Sequence, residues 1–242
     1  MARHDSDRVN HLLAGISCDV TPAPVGHVAH VLYVPISSDP EVTRHCASVL
    51  SDEELQRADR LAADDDRALF LQRRAFRRFL ASTVLEMSRP LSQVIFEETG
   101  NGRPYLSESP DSWFSFSSCR LGLLGAWSPT HAVGVDLEDH RRNLEAADLA
   151  RRFFSRAEAD AIEKLGSSER LPAFYLYWSL KEAALKSIGE GLPYGLDAFE
   201  FELDSTLRVV DAPPDHGGPG QFNAHVIEGT DSCAALVIRS LV

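Results

Sequence analysis

Residues 174–188 read Phe-Tyr-Leu-Tyr-Trp-Ser-Leu-Lys-Glu-Ala-Ala-Leu-Lys-Ser-Ile, with no glycine or proline, and the apolar spacing predicts a helix over Leu171 to Ile188. At about 100° per residue, Phe174, Tyr177, Trp178, Leu185 and Ile188 form one stripe. Lys181 falls inside that stripe, and Glu182 and Lys186 lie at its edge. A lysine among buried neighbours needs an anion or loses its charge. The plain alternative has Lys181 snorkelling and Glu182 and Lys186 forming an i,i+4 pair worth ~0.2–0.5 kcal/mol. It explains Lys181 poorly, whereas a cleft with a charged ligand accounts for all three.

Upstream, Val133-Gly134-Val135-Asp136-Leu137-Glu138 leads an apolar run into carboxylates at i and i+2. A strand puts both on one face. That spacing suits Mg²⁺, which one or two carboxylates hold with waters and substrate phosphates. A strand end running into an acidic loop with Asp139 gives the same pattern, and Glu182 is what would turn the pair into a cation site.

Around these segments the chain predicts two α+β halves, residues 27–130 and 131–242, behind a loose leader at 1–26 with Pro22 and Pro24. In the first half, strand signals cover His27 to Val34, Gln93 to Glu98, Trp113 to Ser117 and Leu121 to Trp127. Ser51 and Glu54 form a capping box, and Asp66 to Glu86 reads as a long helix. In the second half, His131 to Glu138 is a strand, and helices cover Leu144 to Phe154, Arg156 to Leu165 behind the Ser155–Glu158 box, and the segment quoted above. Strands at Phe199 to Leu203, Leu207 to Val210, Gln221 to Ile227 and Ala234 to Ile238 close the chain. No direct repeat is legible between the halves.

The 242 residues carry 24 basic and 36 acidic side chains, a net charge of −12, which disfavours general nucleic-acid binding. The longest uncharged stretch, Leu121 to Val135, contains Pro129 and His131 and falls short of the ~20 apolar residues of a membrane span. The N-terminus lacks the apolar core of a secretory signal. Cys18, Cys46, Cys119 and Cys233 have no metal or disulfide spacing and fit reduced thiols in a cytoplasm. One stretch reverses the charge: Arg67, Arg73, Arg74, Arg77, Arg78 and Arg89 face Glu86 alone over residues 67–89. They either pair with Asp64, Asp65 and Asp66 or form a dock for a phosphate or an acidic partner.

Taken together, Gly102-Arg103-Pro104, the serines from Ser115 to Ser118, Gly134 to Glu138, Phe154-Ser155-Arg156-Ala157-Glu158, and Trp178-Ser179-Leu180-Lys181-Glu182-Ala183 continuing to Lys186, Gly189, Gly191 and Leu192 resemble the 4′-phosphopantetheinyl transferases of the larger, Sfp-type class. Order and spacing agree across roughly residues 28 to 240. The resemblance implies a fold of two similar α/β halves related by a pseudo-two-fold, with the active site in the cleft between them. It also implies transfer of the phosphopantetheine arm of coenzyme A to a serine of an apo acyl or peptidyl carrier protein, releasing adenosine 3′,5′-bisphosphate.

Carried over by resemblance, Asp136, Glu138 and Glu182 would hold Mg²⁺, and Glu182 would be the candidate base for the carrier serine. Lys181 would contact phosphate, Lys186 would stabilise or protonate the leaving group, and Gly102, Arg103 and Pro104 would grip the adenine end. Two departures stand out: Ser117-Ser118 replaces the usual Ser-His pair, and Leu69 falls where relatives place an arginine. Either holding the 3′-phosphate would pass to Arg57, Arg67 or Arg103, or coenzyme A would bind more weakly. A monomer is expected from the size and the two complementary halves. The alternatives are an accessory protein that binds coenzyme A without catalysis, and a Mg²⁺-dependent phosphate-ester hydrolase.

Overall fold

The computed structural model describes residues 28–141, 144–203, 206–228 and 232–241, and the backbone of Ser17–Cys18. The expected leader, residues 1–26, otherwise lies outside the described residues. In chain order come β1 (Ser17–Cys18), β2 (His30–Pro35), α1 (Pro40–Ala47), α2 (Asp52–Asp59), α3 (Asp64–Val84), β3 (Glu97–Glu98), β4 (Pro104–Tyr105), β5 (Trp113–Ser118) and β6 (Gly122–Ser128). They are followed by β7 (His131–Glu138), α4 (Ala146–Phe153), α5 (Arg156–Lys164), α6 (Ser167–Ser187), β8 (Glu200–Leu203), β9 (Leu207–Asp211), β10 (Phe222–Val226) and β11 (Cys233–Ser240).

Two antiparallel sheets, β1-β2-β6-β5 and β10-β11-β7, carry the fold, with β8-β9 and β3-β4 as separate hairpins. Period-two alternation gives each main sheet two faces. Val31, Tyr33, Leu124 and Ala126 of the first meet Val133, Val135, Leu137, Leu236 and Ile238 of the second in a shared apolar core. The opposite faces take the long helices. Phe76 of α3 packs on Val34 and Leu123, while Leu180, Ala183 and Ala184 of α6 share a core with Ala235 and Val237. The layers therefore run helix, sheet, sheet, helix.

Each long helix is 21 residues long and follows a short helix that opens on a capping box. Ser51 and Glu54 satisfy each other's backbone N–H groups at the start of α2, and Ser155 and Glu158 do so at the start of α5. The glutamate of each box has a second task. Glu54 accepts two hydrogen bonds from Arg78 of α3, at 3.1 and 2.7 Å, and Glu158 lies 2.7 Å from Lys181 of α6. One carboxylate thus caps the short helix and locks it to the long one.

Lys181 is consequently not a cleft residue, which corrects the expectation that it contacts phosphate. It is fully buried, paired with Glu158, and donates to the carbonyls of Leu196 and Phe199. The physical demand for an anion was real, and a neighbouring helix meets it. Burial pulls its ammonium below the ordinary lysine value even with Glu158 beside it.

The arginine run finds its partners elsewhere than at Asp64, Asp65 and Asp66. Arg74 and Arg78 turn to Glu54, Arg77 lies 3.8 Å from Glu98, Arg89 pairs with Glu108 and Arg67 with Asp59. Asp64, Asp65 and Asp66 occupy the first turn of α3, where the helix dipole favours them, and several turns of rise separate them from Arg77 and Arg78. The strand expected over Gln93 to Glu98 reduces to a 3₁₀ turn at Leu91–Gln93 and two residues at Glu97–Glu98, because the chain bends to bury Val94. Helix α6 begins before Leu171 and carries Pro172 within it. Cys46, Cys119 and Cys233 are free thiols.

Candidate active site

The site begins at Gly134 of β7. Its empty Cα face lies under α6, and an added Cβ would come within 2.6 Å of the Ser187 backbone nitrogen. The helix backbone can therefore rest on the strand. Alternation then sends Asp136 and Glu138 to the same side of β7 as Gly134, toward Glu182 and Lys186 one turn apart on α6.

Asp136 is 4% exposed, and its Oδ1 accepts from Lys186 Nζ at 2.8 Å and Ser117 Oγ at 2.9 Å. Its Oδ2 is buried and has no hydrogen-bond partner among the described residues. Lys186 also donates to the Val135 carbonyl at 3.1 Å. Ser115 accepts from the Val135 N–H at 3.0 Å, so the serines of β5 hold β7 in place. Glu138 takes a hydrogen bond from the Trp178 indole.

Charge is crowded here. Burial, then Asp136, pushes Glu138 up to about 7, Glu182 adding to the rise while Lys186 and Trp178 oppose it. Burial also lifts Glu182 above the ordinary carboxylate range, against Lys186 and with Asp136. The three carboxylates feel one another without forming a preformed cluster: among the described residues no group of three acidic, histidine or cysteine side chains is arranged to hold a metal. Lys186 occupies Asp136 Oδ1 instead.

Glu182 and Lys186 line a cleft whose far wall is Asn101-Gly102-Arg103-Pro104 and whose floor includes Ser115 and Phe116. Gly102 turns with φ +82°, a conformation glycine supplies without strain. Arg103 lies over the Trp113 ring at 4.2 Å, with Nη1 buried and without a hydrogen-bond partner among the described residues. Across the cleft Asn101 donates to Glu190 at 2.9 Å. Ser117 and Ser118 line an adjoining small hollow. Arg57 and Arg67 lie elsewhere: Arg57 sits over Phe70, and Arg67 pairs with Asp59 beside a different hollow. Sequence reasoning missed Arg77, Asn101 and Glu190 as cleft residues. Arg77 was visible only as one member of a charge run.

A family model described as the 4′-phosphopantetheinyl transferase superfamily matches residues 132–235, the stretch holding Asp136, Glu138, Glu182 and Lys186. The chain is 36% identical to the 4′-phosphopantetheinyl transferase psf-1 of Bacillus pumilus over 54% of this chain and 54% of that protein. It is 32% identical to a Synechocystis sp. protein named for the same family, over 70% of this chain and 68% of that one. The chain belongs to the 4′-phosphopantetheinyl transferase superfamily. A third phosphopantetheinyl transferase, HetI of Nostoc sp., is 29% identical over 73% of this chain and 75% of its own length. The matched region thus spans about half of the first relative and two thirds to three quarters of the other two.

The donor set fits the divalent ion that the superfamily uses. Asp136 Oδ2 is a buried oxygen without a hydrogen-bond partner among the described residues, and burial, with the Asp136 charge adding to it, lifts Glu138 and Glu182, which a cation among the three would relieve. All-oxygen donors suit Mg²⁺ better than a softer metal. No helix among the described residues is long and apolar enough to cross a membrane.

Proposed function

We propose that this phosphopantetheinyl transferase moves the 4′-phosphopantetheine arm of coenzyme A onto a serine of an apo acyl or peptidyl carrier protein, and that Asp136, Glu138 and Glu182 hold Mg²⁺ for the reaction. The observation that carries this reading is the buried Asp136 Oδ2, without a hydrogen-bond partner among the described residues, on a carboxylate held by Lys186, which with Glu182 lines the cleft. Bound there, Mg²⁺ would neutralise the diphosphate oxygens as charge develops on them.

The chain's own residues supply the rest. Glu182, raised by burial, takes the proton of the carrier serine directly or through a water. The serine oxygen forms a bond to the β-phosphorus, and the bond from that phosphorus to the bridging oxygen breaks. The electron pair leaves with adenosine 3′,5′-bisphosphate, whose new charge Lys186 stabilises. Gly102, Arg103 and Pro104 support the nucleotide end, where Nη1 of the half-buried Arg103 has no hydrogen-bond partner among the described residues.

Two halves, residues 27–130 and 131–242, related by a pseudo-two-fold with the site in the cleft between them, fit this reading. Support comes from the matching pair of capping-box helices, each locked to a 21-residue helix. The free thiols suit a reducing cytoplasm, the acidic balance disfavours nucleic acid as a partner, and the size and two complementary halves suit a monomer. The comparisons favour neither the accessory-protein nor the hydrolase alternative. Incubation with coenzyme A, Mg²⁺ and a panel of apo carriers should add the arm's mass to at least one carrier. The reading fails if all stay apo while a control transferase modifies them.

A further inference from the structure

The cleft is narrow for a ligand as large as coenzyme A. It encloses about 230 Å³, below the roughly 300–1,000 Å³ of pockets that take drug-sized molecules, and coenzyme A exceeds such a molecule. Its walls meet at the nucleotide end, where a Cβ on Gly189 would stand 3.7 Å from Arg103 Cδ. There Asn101, two residues before Arg103, donates from Nδ2 to Oε1 of Glu190, the residue after Gly189, at 2.9 Å. Both side chains line the cleft, one from each wall.

The two walls are held differently. Glu190 is a fixed post: its N–H donates to the Leu185 carbonyl at 3.0 Å and that of Gly189 to the Lys186 carbonyl at 3.1 Å, tying both to the last turn of α6. Asn101 rides on an arm, Gly100-Asn101-Gly102, pinned only at its base, where the Thr99 N–H donates to the Arg103 carbonyl at 2.9 Å and the Arg103 N–H to Thr99 Oγ1 at 3.1 Å. Gly102 needs to be glycine for its positive φ, but Gly100 does not. Its φ is not positive, and a Cβ there would meet no atom of the described residues within 4 Å. Glycine at 100 thus supplies a backbone freedom that the closed form leaves unused.

We propose that the Asn101–Glu190 hydrogen bond is a latch, holding the nucleotide end of the cleft closed in the free chain and breaking, as the 100–102 arm swings outward, to admit coenzyme A. The identity of the ligand rests on the reading under Proposed function. Such a latch stabilises the form that does not bind, so the affinity is lowered by the fraction of chains that are open. Removing the bond then tightens binding, the reverse of removing a ligand contact.

Association rate constants and affinities for coenzyme A with Mg²⁺, read by surface plasmon resonance on the immobilised full chain, test the latch. Asn101→Ala, at an exposed position, should speed association and tighten binding roughly 3- to 10-fold, the weight of one hydrogen bond near solvent, with the dissociation rate constant unchanged. Glu190→Ala should do at least as much, since it also takes a negative charge out of the path of an anionic ligand. In the Glu190→Ala background, Asn101→Ala should add nothing, because the bond is already gone. Unchanged or weaker binding in Asn101→Ala overturns the latch, and so does a gain in Glu190→Ala alone, which would be charge relief. These shifts with no transfer to any carrier would sink the functional reading and leave the latch standing, whereas no coenzyme A binding at all would sink both.

Discussion

Gly134 of β7 lies so close beneath α6 that a Cβ at that position would stand 1.9 Å from the Ala183 carbonyl oxygen. The glycine sets the distance between strand and helix, and that distance brings Lys186 to Asp136. A backbone oxygen cannot swing aside as a side chain does, so any larger residue must lift the helix.

Gly134→Ala should therefore cost about 3 kcal/mol or more of stability and separate the two halves of the site. Chemical denaturation gives the first number, and loss of coenzyme A binding in whatever remains folded gives the second. Unchanged stability would mean that α6 is held by something other than this contact.

Lys181 belongs to the frame. Removing it as Lys181→Ala leaves Glu158 buried without its partner and should cost about 3–5 kcal/mol. The double variant Glu158→Gln with Lys181→Met should recover part of that loss, because an uncharged pair needs no desolvation. Folded double variant should bind coenzyme A with wild-type affinity. A coenzyme A affinity that falls with stability intact would return Lys181 to the phosphate.

Glu138 sets a pH dependence. Its folded value, near 7, lies above the ordinary 4.5, so the cation-free folded chain keeps a proton that the unfolded chain has lost. The stabilising contribution is complete below about 4.5 and disappears as pH rises through 7. Cation binding must expel that proton, so Mg²⁺ affinity should rise between about pH 6 and 8. Calorimetry in buffers of differing ionisation enthalpy counts the proton, and no release at neutral pH would remove the claim.

Much of this was legible where a local pattern carries the physics. The capping boxes at Ser51 and Ser155, the alternation through β7, and the periodicity of α3 and α6 each depend on residues within a turn or two. The placement of Lys181 shows the limit. Helical geometry established that it needed an anion, but a Ser-x-x-Glu box 23 residues upstream supplied that anion, and in sequence the box reads only as a cap. Arg77 was lost among six arginines because its neighbours Ser117 and Ser118 lie on another element. The Asn101–Glu190 bridge joins residues 89 apart and has no sequence signature at all. The motif Lys-Glu-x-x-x-Lys divides its residues between core and cleft, and spacing alone cannot show that division.

The proposed chemistry requires Asp136, Glu138 and Glu182 to share one divalent ion where transfer occurs. Mg²⁺ titration of the coenzyme A complex by calorimetry tests it most directly, with the wild type beside Asp136→Asn, Glu138→Gln and Glu182→Gln. One ion per chain is expected in the wild type, with at least a roughly tenfold loss of affinity in each variant, in line with the cost of removing a charged ligand. Wild-type Mg²⁺ affinity in all three variants would contradict it.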